Sequence, residues 1–338
     1  MSKIKKVRYF TKDKLALISD ENKKIYDRYL RSNINKNREV EETTFKVYQN
    51  NMNHFMVYLA EQWDNIYLCS EDFIDDAIDI MEGYIDFCIT TLHNNKKTIN
   101  NKLSAVSSFY FWAMKRGDIP KHPFDGKLER MKGSQNEEII ASHYLSLEET
   151  EIISKHLNEN PEGKFDIIDR LIWNIMLDSG NRIGAIANLT LSSLNMEDMY
   201  FGEIREKLGY RVEVLFEEDT KSIIEEWLEL RKSMDNLELD AFFITKYAGE
   251  WRPMVKATMQ NRIKEIGKII GLTDFRSHCI RKTKGNLVYE QTGDMSLASS
   301  LLNHKSLDVT RQSYIKKETK AGLRDRIKQA TEKNNQKK

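Results

Sequence analysis

Long apolar runs are missing from this chain. No segment approaches the roughly 18 apolar residues that a membrane-spanning helix needs. The opening Met-Ser-Lys-Ile-Lys-Lys has no apolar signal-peptide core behind its charges, so a cytoplasmic protein with no membrane partner is expected. Cysteine is scarce too. Cys69, Cys88 and Cys279 lack metal-ligand spacing and cannot all pair. Reduced, mostly buried thiols are therefore expected, rather than a disulfide framework or a zinc site. Also absent are the Gly-rich loop that cradles nucleotide phosphates, the Asp/Glu cluster that holds two metals, and the Gly-x-Ser-x-Gly elbow. Nucleotide hydrolysis, metal-dependent nuclease and serine-hydrolase chemistry are thus left without their residues.

What is present suits a soluble protein of two domains: 338 residues, 40% hydrophobic and 31% charged. The net charge of +1 hides an uneven distribution. Residues 1–40 are rich in Lys and Arg, whereas residues 61–86 carry only acids among their charges. Such segregation permits a basic face for nucleic acid beside an acidic outer one. The basic stretch over 1–40 is either an arm that touches DNA or a solvated helix and leader.

From Thr43 onward apolar residues recur at helical spacing. Phe45, Tyr48, Met52, Phe55 and Leu59 predict one helix, and a second is expected over residues 71–92. A third, over residues 97–115, carries Ile99, Leu103, Val106, Phe109, Tyr110 and Trp112, aromatics whose period marks them as core. Gly117, Pro120, Pro123, Gly126 and Gly133 then break the pattern, which reads as an interdomain linker over 117–142. Ser146-Leu147-Glu148-Glu149 is a capping box opening a second domain, and a helix over residues 165–178 stops at Gly180. Residues 199–205 and 210–216 predict two strands joined by a tight turn that carries Lys207.

The densest chemistry lies near the end. His278 and Arg281 stand three apart in a segment opening on Ser277, a capping-type residue. On a helix they would share its first exposed turn and present a cationic pair to an anion. An arginine fork and a helix N-terminus both suit phosphate oxygens. His304 and Tyr314 follow. A phenol, with its pKa of about 10, becomes a useful nucleophile only where neighbouring cations stabilise its oxyanion.

These spaced elements resemble the tyrosine recombinases, or phage integrase family. That family's motif runs His-x-x-Arg, then Leu-Gly-His, then a tyrosine nine or ten residues later. Here the residues are His278-Cys-Ile-Arg281, Leu302-Asn303-His304 and Tyr314, ten after His304. Asn181-Arg182-Ile183-Gly184 resembles the family's first arginine box, and Lys207-Leu-Gly-Tyr-Arg211 is a loosened form of its lysine hairpin. Thr98-Ile99-x-x-Lys102-Leu103-Ser104-Ala105 resembles a helix of its core-binding domain.

The resemblance implies a mostly α protein with a small β-sheet (α+β). An all-helical, SAM-like core-binding domain over 41–116 and a catalytic domain over 143–318 would form a C-shaped clamp on duplex DNA. A C-terminal helix over 319–338, where Leu323, Ile327 and Ala330 recur at helical spacing, would dock in trans on a neighbouring protomer, the alternative being docking on its own domain. The implied function is site-specific recombination through a 3′-phosphotyrosyl bond at Tyr314. Arg182 and Arg281 would hold the phosphate, His304 would hydrogen-bond it, His278 would handle protons or phosphate, and Lys207 would protonate the leaving 5′-hydroxyl. Neither ATP, a metal nor another cofactor would be needed. The implied partners are double-stranded DNA with inverted half-sites, further copies of the chain as dimers and a tetramer, and an accessory DNA-bending protein.

Lys96, Lys97, Lys102, Lys115, Arg116 and Lys121 are candidate DNA contacts, the alternative being ordinary surface positions. Two residues depart from the family pattern. Ala185 stands where an acid usually follows the arginine by three, and Asn303 stands where glycine precedes the histidine. Asparagine tolerates left-handed backbone, so the turn is expected to survive. The basic leader and loosened boxes favour the integrase or transposase of a mobile element. Alternatives are a relaxase- or topoisomerase-like enzyme and a Xer-like chromosome dimer resolution recombinase. A DNA-binding protein without the reaction would not need Tyr314.

Overall fold

In the described part of the first unit, most stretches with apolar residues at helical spacing form helices. The computed structural model describes residues 9–36, 42–133, 143–206, 210–234, 238–303, 307 and 324. The chain is mostly helical with small sheets and divides into two units, Met1–Glu138 and Ile139–Lys338.

The described part of the first unit contains α1 (Lys12–Ala16), α2 (Asp20–Lys36), α3 (Glu42–Gln62), α4 (Glu71–Asp75), α5 (Ala77–Thr90) and α6 (Lys96–Arg116). Asn95 caps α6 by accepting from the Thr98 amide at 2.9 Å, and Gly117 closes it in the left-handed conformation its φ of 77° requires. α6 packs against α2 and α3. Phe55, Tyr84, Phe109 and Tyr110 are fully enclosed, so these aromatics are core.

Three expectations change here. The single helix expected over residues 71–92 breaks at Asp76, where Asp72, Asp75, Asp76 and Asp79 would stack like charges at three- and four-residue spacing. The leader is part of the fold from Tyr9, because Ile18, Ile25, Tyr26 and Tyr29 join the unit's core. Part of the stretch expected as a linker over 117–142 packs on the first unit instead, and residues 134–142 lie outside the described residues. Ile119 and Phe124 are buried in the same core, and Arg130 donates to Ser104 Oγ at 2.7 Å.

Lys102 is the clearest correction among the candidate DNA contacts. It is 2% exposed, donates to His54 Nδ1, and lies beneath Phe10, whose ring stacks on His54. Burial lowers its pKa to about 8 from an ordinary lysine value. Below pH 8 folded and unfolded chains both hold the proton, so the full penalty of burying the charge, roughly 3 kcal/mol, opposes folding there and disappears as pH rises through the unfolded value. Lys102→Met is therefore expected to stabilise the protein by roughly 2 kcal/mol at pH 7, after loss of one hydrogen bond. Denaturant unfolding at pH 7 and pH 10 checks this: the gain should shrink at the higher pH, and destabilisation at pH 7 would contradict it.

The described part of the second unit contains α7 (Leu147–Glu159), α8 (Ile167–Ser179), α9 (Ile183–Ala187), β1 (Leu194–Asn195), β2 (Tyr200–Arg205), β3 (Arg211–Leu215), α10 (Glu218–Lys232), β4 (Ile244–Tyr247), β5 (Glu250–Pro253), α11 (Lys256–Gly267), a 3-10 turn (Lys268–Ile270), α12 (Ser277–Thr292) and α13 (Met295–Leu301). The capping box forms as expected, with Ser146 and Glu149 satisfying each other's amides. α8 is central. Leu171, Ile172, Trp173, Ile175 and Met176 are fully buried, and the helix packs against α7, α10, α11 and α12. β1, β2 and β3 form an antiparallel sheet, and β4 pairs with β5 in a separate hairpin.

Candidate active site

Two turns, one helix and one strand end build the site. α8 stops where Gly180 turns left-handed at φ 63°. A Cβ there would lie 3.0 Å from Leu302 Cδ2, so space as well as backbone conformation calls for glycine. At Gly285 on α12 a Cβ would come within 2.7 Å of Leu302 Cδ1. Leu302, fully buried, is thus seated against two glycines and fixes the start of the turn that follows α13. Asn303 is left-handed at φ 50°, the conformation its substitution for glycine has to accommodate. Its amide donates to Asn181 Oδ1 at 3.2 Å, and Asn181 in turn donates to the Glu213 carbonyl at 2.8 Å.

Arg281 ties these turns together. It is 1% exposed, donating from Nη1 to the Gly180 carbonyl at 2.7 Å and from Nη2 to the Leu302 carbonyl. The expectation of an exposed cationic turn is corrected on three counts. Arg281 is buried, the residue preceding the helix is Arg276, and no side-chain cap forms. His278 differs from the expectation in its charge as well. His278 keeps an exposed edge, yet desolvation first, then the charges of Lys282, Arg281 and Arg182, lower its pKa to about 4. Its imidazole is therefore neutral at neutral pH, able to accept a proton as well as donate a hydrogen bond.

Arg182 is the extended residue that opens α9. Its side chain is 45% exposed, and Nη1 meets Glu206 Oε2 at 2.6 Å. Ala185, where the resemblance implied an acid, is fully buried and offers only a methyl group. Arg182, His278 and Arg281 are thus brought within electrostatic reach of one another from distant parts of the chain. Lys207, His304 and Tyr314 lie outside the described residues. Sequence reasoning missed Glu206 and the buried Lys282. The only signal for Glu206 was an acid beside the hairpin lysine, and for Lys282 a cation beside the motif arginine.

Chemically, the arrangement offers a fixed, desolvated guanidinium, a second and more open one, and a neutral imidazole between cations. That set suits an anion with several oxygens, such as a phosphodiester. Among the described residues no group of three or more His, Cys, Asp or Glu side chains could hold a metal ion, and no helix is long and apolar enough to cross a membrane. On the first unit Lys96, Lys97, Lys115, Arg116 and Lys121 are exposed, unlike Lys102.

The family model described as "Phage integrase family" matches residues 143–321. The tyrosine recombinase XerC of Staphylococcus carnosus (strain TM300) is 23% identical over 268 residues, 79% of this chain and 84% of that protein. The tyrosine recombinase XerA of Saccharolobus solfataricus is 25% identical over 142 residues, 42% of this chain and 44% of that protein. Among solved structures, the XerH site-specific recombinase bound to palindromic difH substrate is similar with a TM-score of 0.68 at 16% identity, covering 94% of this chain and 92% of that one. The Tn1549 transposon integrase in complex with circular intermediate DNA gives 0.62 at 16% identity, covering 91% and 99%. These likenesses show the fold. The matched stretch takes in more than half of the chain, together with both arginines, both histidines and the tyrosine of the motif, and so the protein belongs to the phage integrase family, the tyrosine recombinases.

Proposed function

We propose that this protein is a site-specific tyrosine recombinase that cuts and rejoins DNA through a 3′-phosphotyrosyl intermediate. The observation that carries the reading is the convergence of Arg182, His278 and Arg281 inside the family-matched stretch. In the first step Tyr314 Oη attacks a backbone phosphorus, the bond from phosphorus to the 5′-oxygen breaks, and Lys207 gives that oxygen its proton. His278, neutral at neutral pH, takes the phenol proton. Arg182 and Arg281, with a hydrogen bond from His304, stabilise the charge gathering on the non-bridging oxygens. The covalent bond conserves the phosphodiester energy, so reversal onto another strand's 5′-hydroxyl completes exchange without ATP.

The first unit serves in this reading as the core-binding domain, closing with the catalytic domain as a C-shaped clamp on paired half-sites. Lys96, Lys97, Lys115, Arg116 and Lys121 would meet phosphates there. Similarity of fold to a lambda integrase dimer bound to a COC' core site and to a lambda integrase tetramer bound to a Holliday junction supports self-association on the substrate. The basic N-terminal stretch favours the integrase or transposase of a mobile element, while the Xer recombinases among the relatives favour chromosome dimer resolution. Mapping the DNA that the protein binds distinguishes these two roles. A plasmid carrying two copies of the mapped site then tests the reaction: exchanged circles support a recombinase, and nicking with relaxation alone supports a topoisomerase-like enzyme.

The role of Lys207 has its own test. Lys207→Ala should cleave an ordinary phosphodiester slowly but recover on a 5′-bridging phosphorothioate, because a thiolate leaves without a proton. Equal impairment on both substrates would assign Lys207 another task.

A further inference from the structure

We infer that Glu206 is a positioning residue for Arg182, holding its guanidinium in place for the phosphate; this rests on the reading of Arg182 as a phosphate clamp. The burial of Glu206 begins with an irregularity in β2. Pairing with β3 shifts register between Phe201 and Ile204, and Glu203 adopts a left-handed φ of 56°. Side chains alternate along a regular strand, so with Phe201 inward, Glu203 and Arg205 would follow it and Glu206 would point outward. The extra residue reverses that parity. Phe201 and Ile204 are both buried, Arg205 is exposed, and the Glu206 side chain is 7% exposed.

A carboxylate taken that far from water needs a partner. Glu206 Oε2 has the Arg182 guanidinium at 2.6 Å, while Oε1 is enclosed without a hydrogen-bond partner among the described residues. Both ends of this pair stand on fixed backbone. Arg182 opens α9, whose closing residue Asn188 donates to the Arg205 carbonyl at 2.9 Å, and the Glu206 amide donates to the Tyr210 carbonyl at 2.6 Å. The contact engages one Nη of Arg182 and leaves the side chain 45% exposed, so the guanidinium is oriented from behind with its outer face open. Because Glu206 adjoins Lys207, the same contact also ties the arginine to the hairpin that carries the general acid.

The test compares Glu206→Gln with the wild-type chain. An amide keeps the shape and loses the charge-assisted bond, and it relieves a buried charge, so the unfolding midpoint should not fall. Single-turnover cleavage of saturating target DNA should slow about tenfold or more with half-site affinity within about twofold, and in an Arg182→Ala background the same change should add nothing. NMR of the arginine side chains should show slow Nε–Cζ rotation for Arg182 in wild-type protein and fast rotation in Glu206→Gln. Unchanged or faster cleavage would overturn the inference, the latter showing a carboxylate that competes with phosphate. So would an equal loss in the Arg182→Ala background. Wild-type protein that never cleaves its mapped DNA would sink the proposed function, and the NMR comparison would still decide whether Glu206 positions Arg182, equal rotation in both proteins counting against it.

Discussion

Arg281→Ala is expected to lower single-turnover cleavage about 100- to 1000-fold and, unlike a purely catalytic loss, to destabilise the fold by roughly 3–5 kcal/mol. The first figure follows from removing a preorganised charge at the reacting phosphate. The second follows from burial. Arg281 is 1% exposed and bonds the Gly180 and Leu302 carbonyls, so alanine would orphan two main-chain acceptors and leave a cavity where α8, α12 and the turn after α13 meet. Arg182→Ala should show a similar loss of rate; its own side chain is half in solvent, so its loss of stability comes from the Glu206 carboxylate left buried without its partner. Cleavage assays paired with denaturant melts separate the two. Arg281→Lys would keep the charge but lose the fork, and should remain well below wild type in both measurements. A normal melting transition for Arg281→Ala would refute the structural half of this account.

How far the sequence foretold this site depends on what each feature needs. Helices with strong apolar period, such as α3 and α6, were legible because 3.6-residue spacing is a local property. So were the Ser146 capping box and the Gly180 stop. Residues 71–92 misled because the apolar period runs through Asp76, while the repulsion that breaks the helix lies among acids on its other face. Lys102 shares a helix with exposed lysines, and only the fold shows that its side chain ends beside His54 and Phe10. The motif arginines were legible as types at a spacing, yet the burial of Arg281 depends on the Gly180 and Leu302 carbonyls of other elements, and the neutrality of His278 depends first on desolvation that only the fold brings about. The pairing of Glu206 with Arg182 was least legible. It depends on a bulge that changes which side of β2 faces inward, and nothing in the alternation of residues 199–205 announces one.

Tyr314→Phe is expected to abolish covalent attachment to DNA while leaving folding and DNA affinity intact. The substitution removes one oxygen, and that oxygen is the proposed nucleophile. Water at the same position would give hydrolysis rather than a protein–DNA bond, so the loss of adduct should be complete rather than graded. Retained affinity would show that the arginines still engage phosphate. An adduct surviving in this variant would move the nucleophile elsewhere, Tyr289 on α12 being the preceding tyrosine in the chain.

Trapping decides whether Tyr314 forms the covalent bond to DNA. The wild-type protein is incubated with its mapped site in a suicide duplex, nicked so that the cleaved fragment bearing the 5′-hydroxyl diffuses away, and the product is digested and analysed by mass spectrometry. The expected product is a nucleotide joined through a 3′-phosphate to the peptide containing Tyr314, formed without metal or ATP. Stable binding of the same duplex with no covalent product, or a product mapped to any other residue, would contradict the proposed role of Tyr314.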